Sequence, residues 1–224
     1  MIGGVESHTS NLSFDEIIQN LSMSKLNCAD RASEKLMIEE IDNAKEKKDT
    51  LGGIFEVIAE GVPVGLGSYV QGDRRLDANL ASAIMSIPAI KAVEIGEAIE
   101  SVRKLGSKVH DEIFYSKTKG IYRKTNNAGG IEGGVSNGEN IIVRGYMKPI
   151  STLMEGLNTI DIATKQSGKA ATERSDVCSV SAAGIVGEGV SAFIIASALL
   201  EKFGGDSLLE TKRNHEGYIA GLKT

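Results

Sequence analysis

Thr125-Asn126-Asn127-Ala128-Gly129-Gly130-Ile131-Glu132-Gly133-Gly134-Val135-Ser136-Asn137-Gly138 is the densest signal in the 224-residue chain. Two glycine pairs let the backbone turn tightly twice and come close to a flat or phosphorylated ligand. Successive N–H groups in such turns form an anion-binding nest. A Gly-rich hairpin with no ligand is the competing explanation, and short glycine motifs alone do not decide between the two. Strand-like runs flank the stretch, at Tyr122 to Thr125 and Ile141 to Tyr146.

Working outward, Ile54 to Val62 and Ala89 to Ile95 alternate as strands do, and Asn158 to Thr164 adds another candidate. Three stretches have helical spacing. Ala29 to Lys47 carries Ala29, Ala32, Leu36, Ile41 and Ala44 on one face. Leu76, Leu80, Ala83, Ile84 and Ile87 follow Asp73 as a possible cap, with Pro88 just beyond the end. Val180 to Phe203 is apolar around most of its circumference, the pattern of a helix buried on several sides, and Gly204-Gly205 stops it. Strands and helices mix without a steady βαβ alternation, so the expected class is α+β in layers. With no repeat, low-complexity tract or linker, a single domain over residues 1–224 is expected.

Composition narrows the function classes. A hydrophobic fraction of 41% and a charged fraction of 25% are those of an ordinary globular protein. The net charge of -5 argues against a nucleic-acid surface, which is normally basic. No run of 18 apolar residues appears, and the longest greasy stretch, about Ala192 to Leu200, is too short to span a bilayer, so no membrane association is expected. No signal peptide is evident, and a cytoplasmic location is the default. Cys28 and Cys178 have neither metal-ligand nor redox spacing, so no metal is expected.

Two further clusters carry chemistry. Lys148-Pro149-Ile150-Ser151-Thr152 follows an apolar strand, and a cation beside two hydroxyls can hold a phosphate. A Pro-terminated edge strand with a solvated Lys is the alternative. Arg174-Ser175-Asp176-Val177-Cys178 leads into the long apolar helix. Asp176 could cap that helix and Arg174 could be a surface cation, or the two could serve as an acid–base group and an anion clamp. Cys178 reads as a small core residue.

In this order the segments resemble chorismate synthase. Supporting landmarks are Gly61-Val62-Pro63-Val64-Gly65-Leu66-Gly67, Arg75-Leu76-Asp77-Ala78, and Met85-Ser86-Ile87-Pro88-Ala89-Ile90 continuing to Gly96. The resemblance implies a sandwich of helices between antiparallel sheets and a homotetramer in complete members. It implies anti-1,4-elimination of phosphate from 5-enolpyruvylshikimate-3-phosphate to give chorismate, a shikimate-pathway step that needs reduced FMN, with NADP also associated.

By the same resemblance, Pro88 and Ala89 belong to the FMN pocket, and the Gly133 backbone approaches the cofactor. Lys148, Pro149, Ile150, Ser151 and Thr152 hold the phosphate end of FMN. Arg174 is a further cofactor contact, and Asp176 is the catalytic acid that communicates with a flavin nitrogen. Asn127 stands where many members carry His, and both can hydrogen-bond.

Two earlier family signatures, Gly-Glu-Ser-His-Gly and Ser-Ala-Arg-Glu-Thr, do not occur; Val5-Glu6-Ser7-His8 is followed by Thr9. The expectation is therefore the C-terminal portion of the family fold, incomplete at its N-terminus and inactive alone. The alternative is a non-catalytic module that complements a separate N-terminal piece. His110 and His215 are expected to be exposed.

Overall fold

The computed structural model describes residues 1–9, 11–118 and 120–222. Its architecture is mixed α and β. Helix α1 (Phe14–Leu21) and helix α2 (Arg31–Glu46) precede strand β1 (Gly53–Ala59). Helix α3 (Leu76–Met85), strand β2 (Ile90–Ile95) and the short α4 (Ala98–Ser101) follow. Six short or medium strands come next: β3 (Ile113–Ser116), β4 (Gly120–Arg123), β5 (Ile131–Glu132), β6 (Val135–Ser136), β7 (Ile141–Met147) and β8 (Asn158–Ile160). Strand β9 (Ser167–Lys169), helix α5 (Val180–Phe203) and helix α6 (Leu208–Gly221) complete the order. Three strands form a sheet in the order β1-β7-β2, and β3–β4, β5–β6 and β8–β9 are antiparallel hairpins.

The chain divides into two compact units, and the division falls within β1, β2, β7 and α5. The first comprises Met1–Phe55, Ala89–Lys91 and Tyr146–Ile185. Its buried apolar residues include Ile2, Met37, Ala44, Phe55, Ile90 and Val180. Asp30 caps α2 by accepting from the Ala32 and Ser33 N–H groups, which leaves fewer orphan donors in the first turn. The face that α2 buries is Ser33, Met37 and Ala44. Leu36, expected on that face, is exposed.

The second unit comprises Glu56–Pro88, Ala92–Gly145 and Val186–Thr224. Leu66, Leu76, Leu80, Ile84, Ile141 and Val143 are its fully buried apolar side chains. Leu76, Leu80 and Ile84 are one face of α3, as the spacing predicts. Asp73 is not its cap: it lies in a 3-10 turn, Gly72–Arg74, and Arg75 occupies the cap position. His215 is half-buried rather than exposed, edge-on to the Phe203 ring at 5.0 Å.

Helix α5 has the predicted limits but not the predicted burial. Ile185, Val186, Phe193 and Leu200 are all exposed, Phe193 to 72%. Uniform apolarity marks a helix that needs cover on several sides, and in these residues most of that cover is lacking. The helix is also 24 residues long and apolar enough to cross a bilayer by length and composition. An uninterrupted-run criterion hides this, because Gly, Ser and Glu188 punctuate the helix without ending it.

Candidate functional site

The first unit gathers most of the singled-out residues: Ala89, Lys148 to Thr152, Arg174 and Asp176. Pro88 and Gly133 belong to the second unit. Lys148 emerges at the end of β7, which is the central strand of its sheet and not an edge. The edge-strand explanation of the Lys148-Pro149 turn is therefore excluded. The Lys148 N–H donates to the Ala89 carbonyl at 3.0 Å. Ala89 itself has φ +68°, a left-handed conformation that costs a residue with a Cβ about 1 to 2 kcal/mol. Such strain persists only where the surroundings enforce it, and it clusters at binding sites.

The Lys148 side chain is exposed, and its Nζ makes a long 3.5 Å contact to the Pro149 carbonyl. Arg174 and Asp176 are exposed too. Among the described residues none of these three charges sits in an ion pair. Asp176 does not cap α5, which starts four residues later at Val180. The helix-cap explanation of Asp176 is thus removed, while Arg174 is a surface cation with no carboxylate partner among the described residues. Cys178 is half-buried, and burial pushes its thiol up, as a packing residue requires.

The two segments are tied to each other inside this unit. Ser175 Oγ donates to the Thr152 carbonyl at 2.7 Å. Thr50 Oγ1 donates to the Ile150 carbonyl at 2.7 Å, and the Leu51 N–H donates to the Val177 carbonyl at 2.8 Å. Ser175 lies inside the Arg174 to Cys178 cluster, whereas Thr50 has no motif signal and is an ordinary polar residue whose importance lies in a contact made far along the chain.

The Gly-rich stretch lies in the second unit, and its first half is a nest already filled. Asp111 is buried, at 8% exposure. Its carboxylate accepts from the Asn127 N–H at 2.8 Å, the Asn127 side-chain amide at 3.1 Å and the Ala128 N–H at 2.9 Å. The Gly130 N–H donates to Asn126 Oδ1 at 2.8 Å, and the Gly129 N–H to the Asn126 carbonyl at 3.1 Å. The Asn127 and Ala128 amides hold the protein's own carboxylate and the Gly129 and Gly130 amides hold Asn126, so none of the four is free for a bound phosphate. Burial pushes the Asp111 carboxyl up, but the Thr125 hydroxyl, the Ala128 and Asn127 amides and the Arg123 charge outweigh it and hold it below its ordinary value.

The second half is a two-residue hairpin. Glu132 pairs with Val135, and Gly133 and Gly134 between them have φ +62° and +88°, the pattern of a type I′ turn. Gly134 is packed, since a Cβ there would lie 2.8 Å from the Ser68 carbonyl oxygen. Gly133 is exposed, with nothing within 4 Å of where a Cβ would stand. Its backbone is open to a ligand in a way that Gly129 and Gly130 are not. Pro88 is also exposed.

Fold and site together define an α+β protein that presents unpaired cations, two hydroxyls and a carboxylate from a tightly held pair of segments. Comparison with known proteins gives this class a family. The family model for chorismate synthase matches residues 3–200. Chorismate synthase of Geobacter sulfurreducens is 51% identical over 97% of this chain and 57% of its own length. That of Thermoanaerobacter pseudethanolicus is 60% identical over 82% of this chain and 52% of its own length. A crystal structure of chorismate synthase superposes with a TM-score of 0.83 at 40% identity, covering 100% of this chain and 61% of that one. The chain belongs to the chorismate synthase family, and it spans a little over half the length of the curated relatives it matches.

Proposed function

We propose that this chain carries the FMN-phosphate end of a chorismate synthase site, for conversion of 5-enolpyruvylshikimate-3-phosphate to chorismate with loss of phosphate. The observation that supports it best is the pair of exposed, unpaired cations Lys148 and Arg174 on mutually bonded segments that also bear Ser151, Thr152 and Asp176. A phosphate dianion accepts several charge-assisted hydrogen bonds at once, and this donor set suits it. Reduced FMN, when bound, supplies electron density to the breaking carbon–oxygen bond. Lys148, Ser151 and Thr152 bind and orient its phosphate, and Arg174 adds charge. Asp176 holds or accepts a proton on its carboxylate. Within the first unit Ala89, Pro149 and Ile150 contribute to the FMN pocket; Pro88 and the exposed Gly133 backbone are the second unit's own candidate contacts to the cofactor. NADP-linked supply of reduced flavin, a cytoplasmic location and a homotetramer belong to the same proposal.

Ligand-detected NMR on the 224-residue chain tests the phosphate assignment. FMN is expected to bind at least about ten-fold more tightly than riboflavin, the difference that one or two charge-assisted hydrogen bonds provide. Lys148→Ala is expected to abolish that preference. Equal binding of the two flavins would sink the assignment.

The exposed apolar residues of α5 favour a companion reading, in which these 224 residues work only within a larger assembly. The catalytic His and substrate-binding arginines that the family resemblance implies have no counterpart motif in them. Alone, the 224 residues are expected to show no turnover with reduced FMN under anaerobic conditions. Co-expression with the N-terminal part of a relative is expected to restore it. Turnover by the chain alone would overturn this part of the proposal, and soluble flavin-free oligomers with no restored activity would favour a purely structural role.

A further inference from the structure

We infer that Thr50-Leu51-Gly52 is the positioning strap of the phosphate site, with the Thr50 hydroxyl as its decisive group. The inference rests on the function proposed above, because it explains how Lys148 and its neighbours are held for a phosphate. The strap has no charged group and no motif, yet each of its residues engages a different part of the site. Thr50, 8% exposed, donates from Oγ1 to the Ile150 carbonyl, two residues past Lys148. Leu51 donates its N–H to the Val177 carbonyl and forms a parallel bridge with Cys178, just past Asp176. Gly52 lies flat against the Met147 to Pro149 backbone: a Cβ there would collide with the Met147 carbonyl oxygen and stand 2.9 Å from the Lys148 carbonyl carbon.

Three consecutive residues thus fix the backbone on both sides of Lys148 and immediately after Asp176. The Asp49 N–H donates to the Ala44 carbonyl of α2 at 2.9 Å and Asp49 Oδ1 accepts from the Thr50 N–H at 2.8 Å, so the strap is itself anchored to the helix end. Lys148 has four rotatable side-chain bonds and, among the described residues, no ion-pair partner, and where its Nζ can reach is set by its backbone. Small displacements at such a base are amplified at the tip, and loosening a supporting contact weakens a phosphate clamp more than a flat ring contact.

The test compares FMN with riboflavin again, in Thr50→Val and Thr50→Ser proteins. Valine keeps the shape of threonine and removes the hydroxyl, whereas serine keeps the hydroxyl. Thr50→Val is expected to weaken FMN about five-fold, the effect of one lost hydrogen bond, and to leave riboflavin unchanged. Thr50→Ser is expected to restore the FMN preference. A general packing role would instead weaken both flavins together and would not be rescued by serine. Should Thr50→Val not fold, Thr50→Ser against Thr50→Ala carries the same comparison. A wild-type preference that Thr50→Val leaves intact overturns the inference alone, whereas a wild type without preference overturns the phosphate assignment and the inference with it.

Discussion

Replacing Arg144 with Met is expected to lower the stability of the folded chain by about 2 to 3 kcal/mol, the cost of removing the centre of a half-buried, charge-assisted hydrogen-bond network. Arg144 sits on the central strand β7, with Glu56 on β1 and Glu94 on β2 as neighbours in the same sheet. Its Nε donates to Glu56 at 2.6 Å, Nη2 to Glu97 at 2.8 Å and Nη1 to the Gly96 carbonyl at 2.8 Å, while Glu94 lies 3.6 Å from Nη1. Burial works against the charge, yet Glu97 and Glu56 raise the guanidinium's proton affinity above its ordinary value. Methionine would preserve the packing of the stem while leaving three carboxylates facing one another, one of them 5% exposed. Lysine keeps the charge but offers a single point in place of a planar fork, so Arg144→Lys is expected to cost less, about 1 to 2 kcal/mol. Urea midpoints for the two variants give the ranking. Equal and negligible shifts would show that the network does not tie the strands together.

That network also shows what sequence patterning omits. Ile141 to Tyr146 was legible as a strand because Ile141 and Val143 alternate toward the core. The role of Arg144 was not, since its partners are 88, 50 and 47 residues away and become neighbours only through sheet order. Helices behaved similarly. Leu76, Leu80 and Ile84 declared both the existence and the buried face of α3. In α2 the same spacing rule marked Leu36, but the helix turned Met37 inward, because several apolar stripes compete on that surface and tertiary packing chooses. For α5 the pattern fixed the limits to the residue and misjudged the burial, since an apolar circumference states what a helix needs and not what surrounds it. α1 escaped notice although its signature is plain: Ser13 and Glu16 form a reciprocal capping box. Eight residues are too few for periodicity to register.

The candidate site divides along the same line. Lys148, Ser151, Thr152, Arg174 and Asp176 were visible because cations, hydroxyls and carboxylates advertise their chemistry. Thr50 and Gly52, which hold the Lys148 segment, were not, because a single hydrogen bond to a distant carbonyl or a close backbone approach leaves no local pattern. The Gly-rich stretch was visible and ambiguous, and the ambiguity resolved by halves. Gly133-Gly134 is a hairpin turn with one open backbone face, while the Asn127 and Ala128 N–H groups hold Asp111, 16 residues upstream of Asn127, and those of Gly129 and Gly130 hold Asn126.

Asp111→Ala is accordingly expected to destabilise the chain by about 2 to 4 kcal/mol, because the Asn127 and Ala128 N–H groups would lose a buried, charge-assisted acceptor. Gly96 excludes an easy rearrangement: its N–H and the turn after β2 are packed so closely on Asn127 to Gly129 that a Cβ at Gly96 would stand 2.7 Å from the Ala128 carbonyl carbon. Asp111→Asn keeps the shape and one acceptor oxygen, but turns an NH2 group toward amide donors, and is expected to recover less than half of the loss. The two variants also predict a pH signature. The folded-state carboxyl titrates below its ordinary value, so its contribution is complete above the unfolded-state pKa, near pH 4, and disappears as pH falls through the lower folded-state value. Wild-type protein should therefore lose protection of the Asn127 and Ala128 amides in hydrogen exchange as pH drops below about 4. In Asp111→Asn those amides should be poorly protected already at neutral pH, with no further acid-dependent loss attributable to this group. Retained protection in the variant would mean that Gly96 and Asn126 hold the loop without Asp111, and that the carboxylate merely occupies a nest formed by other forces.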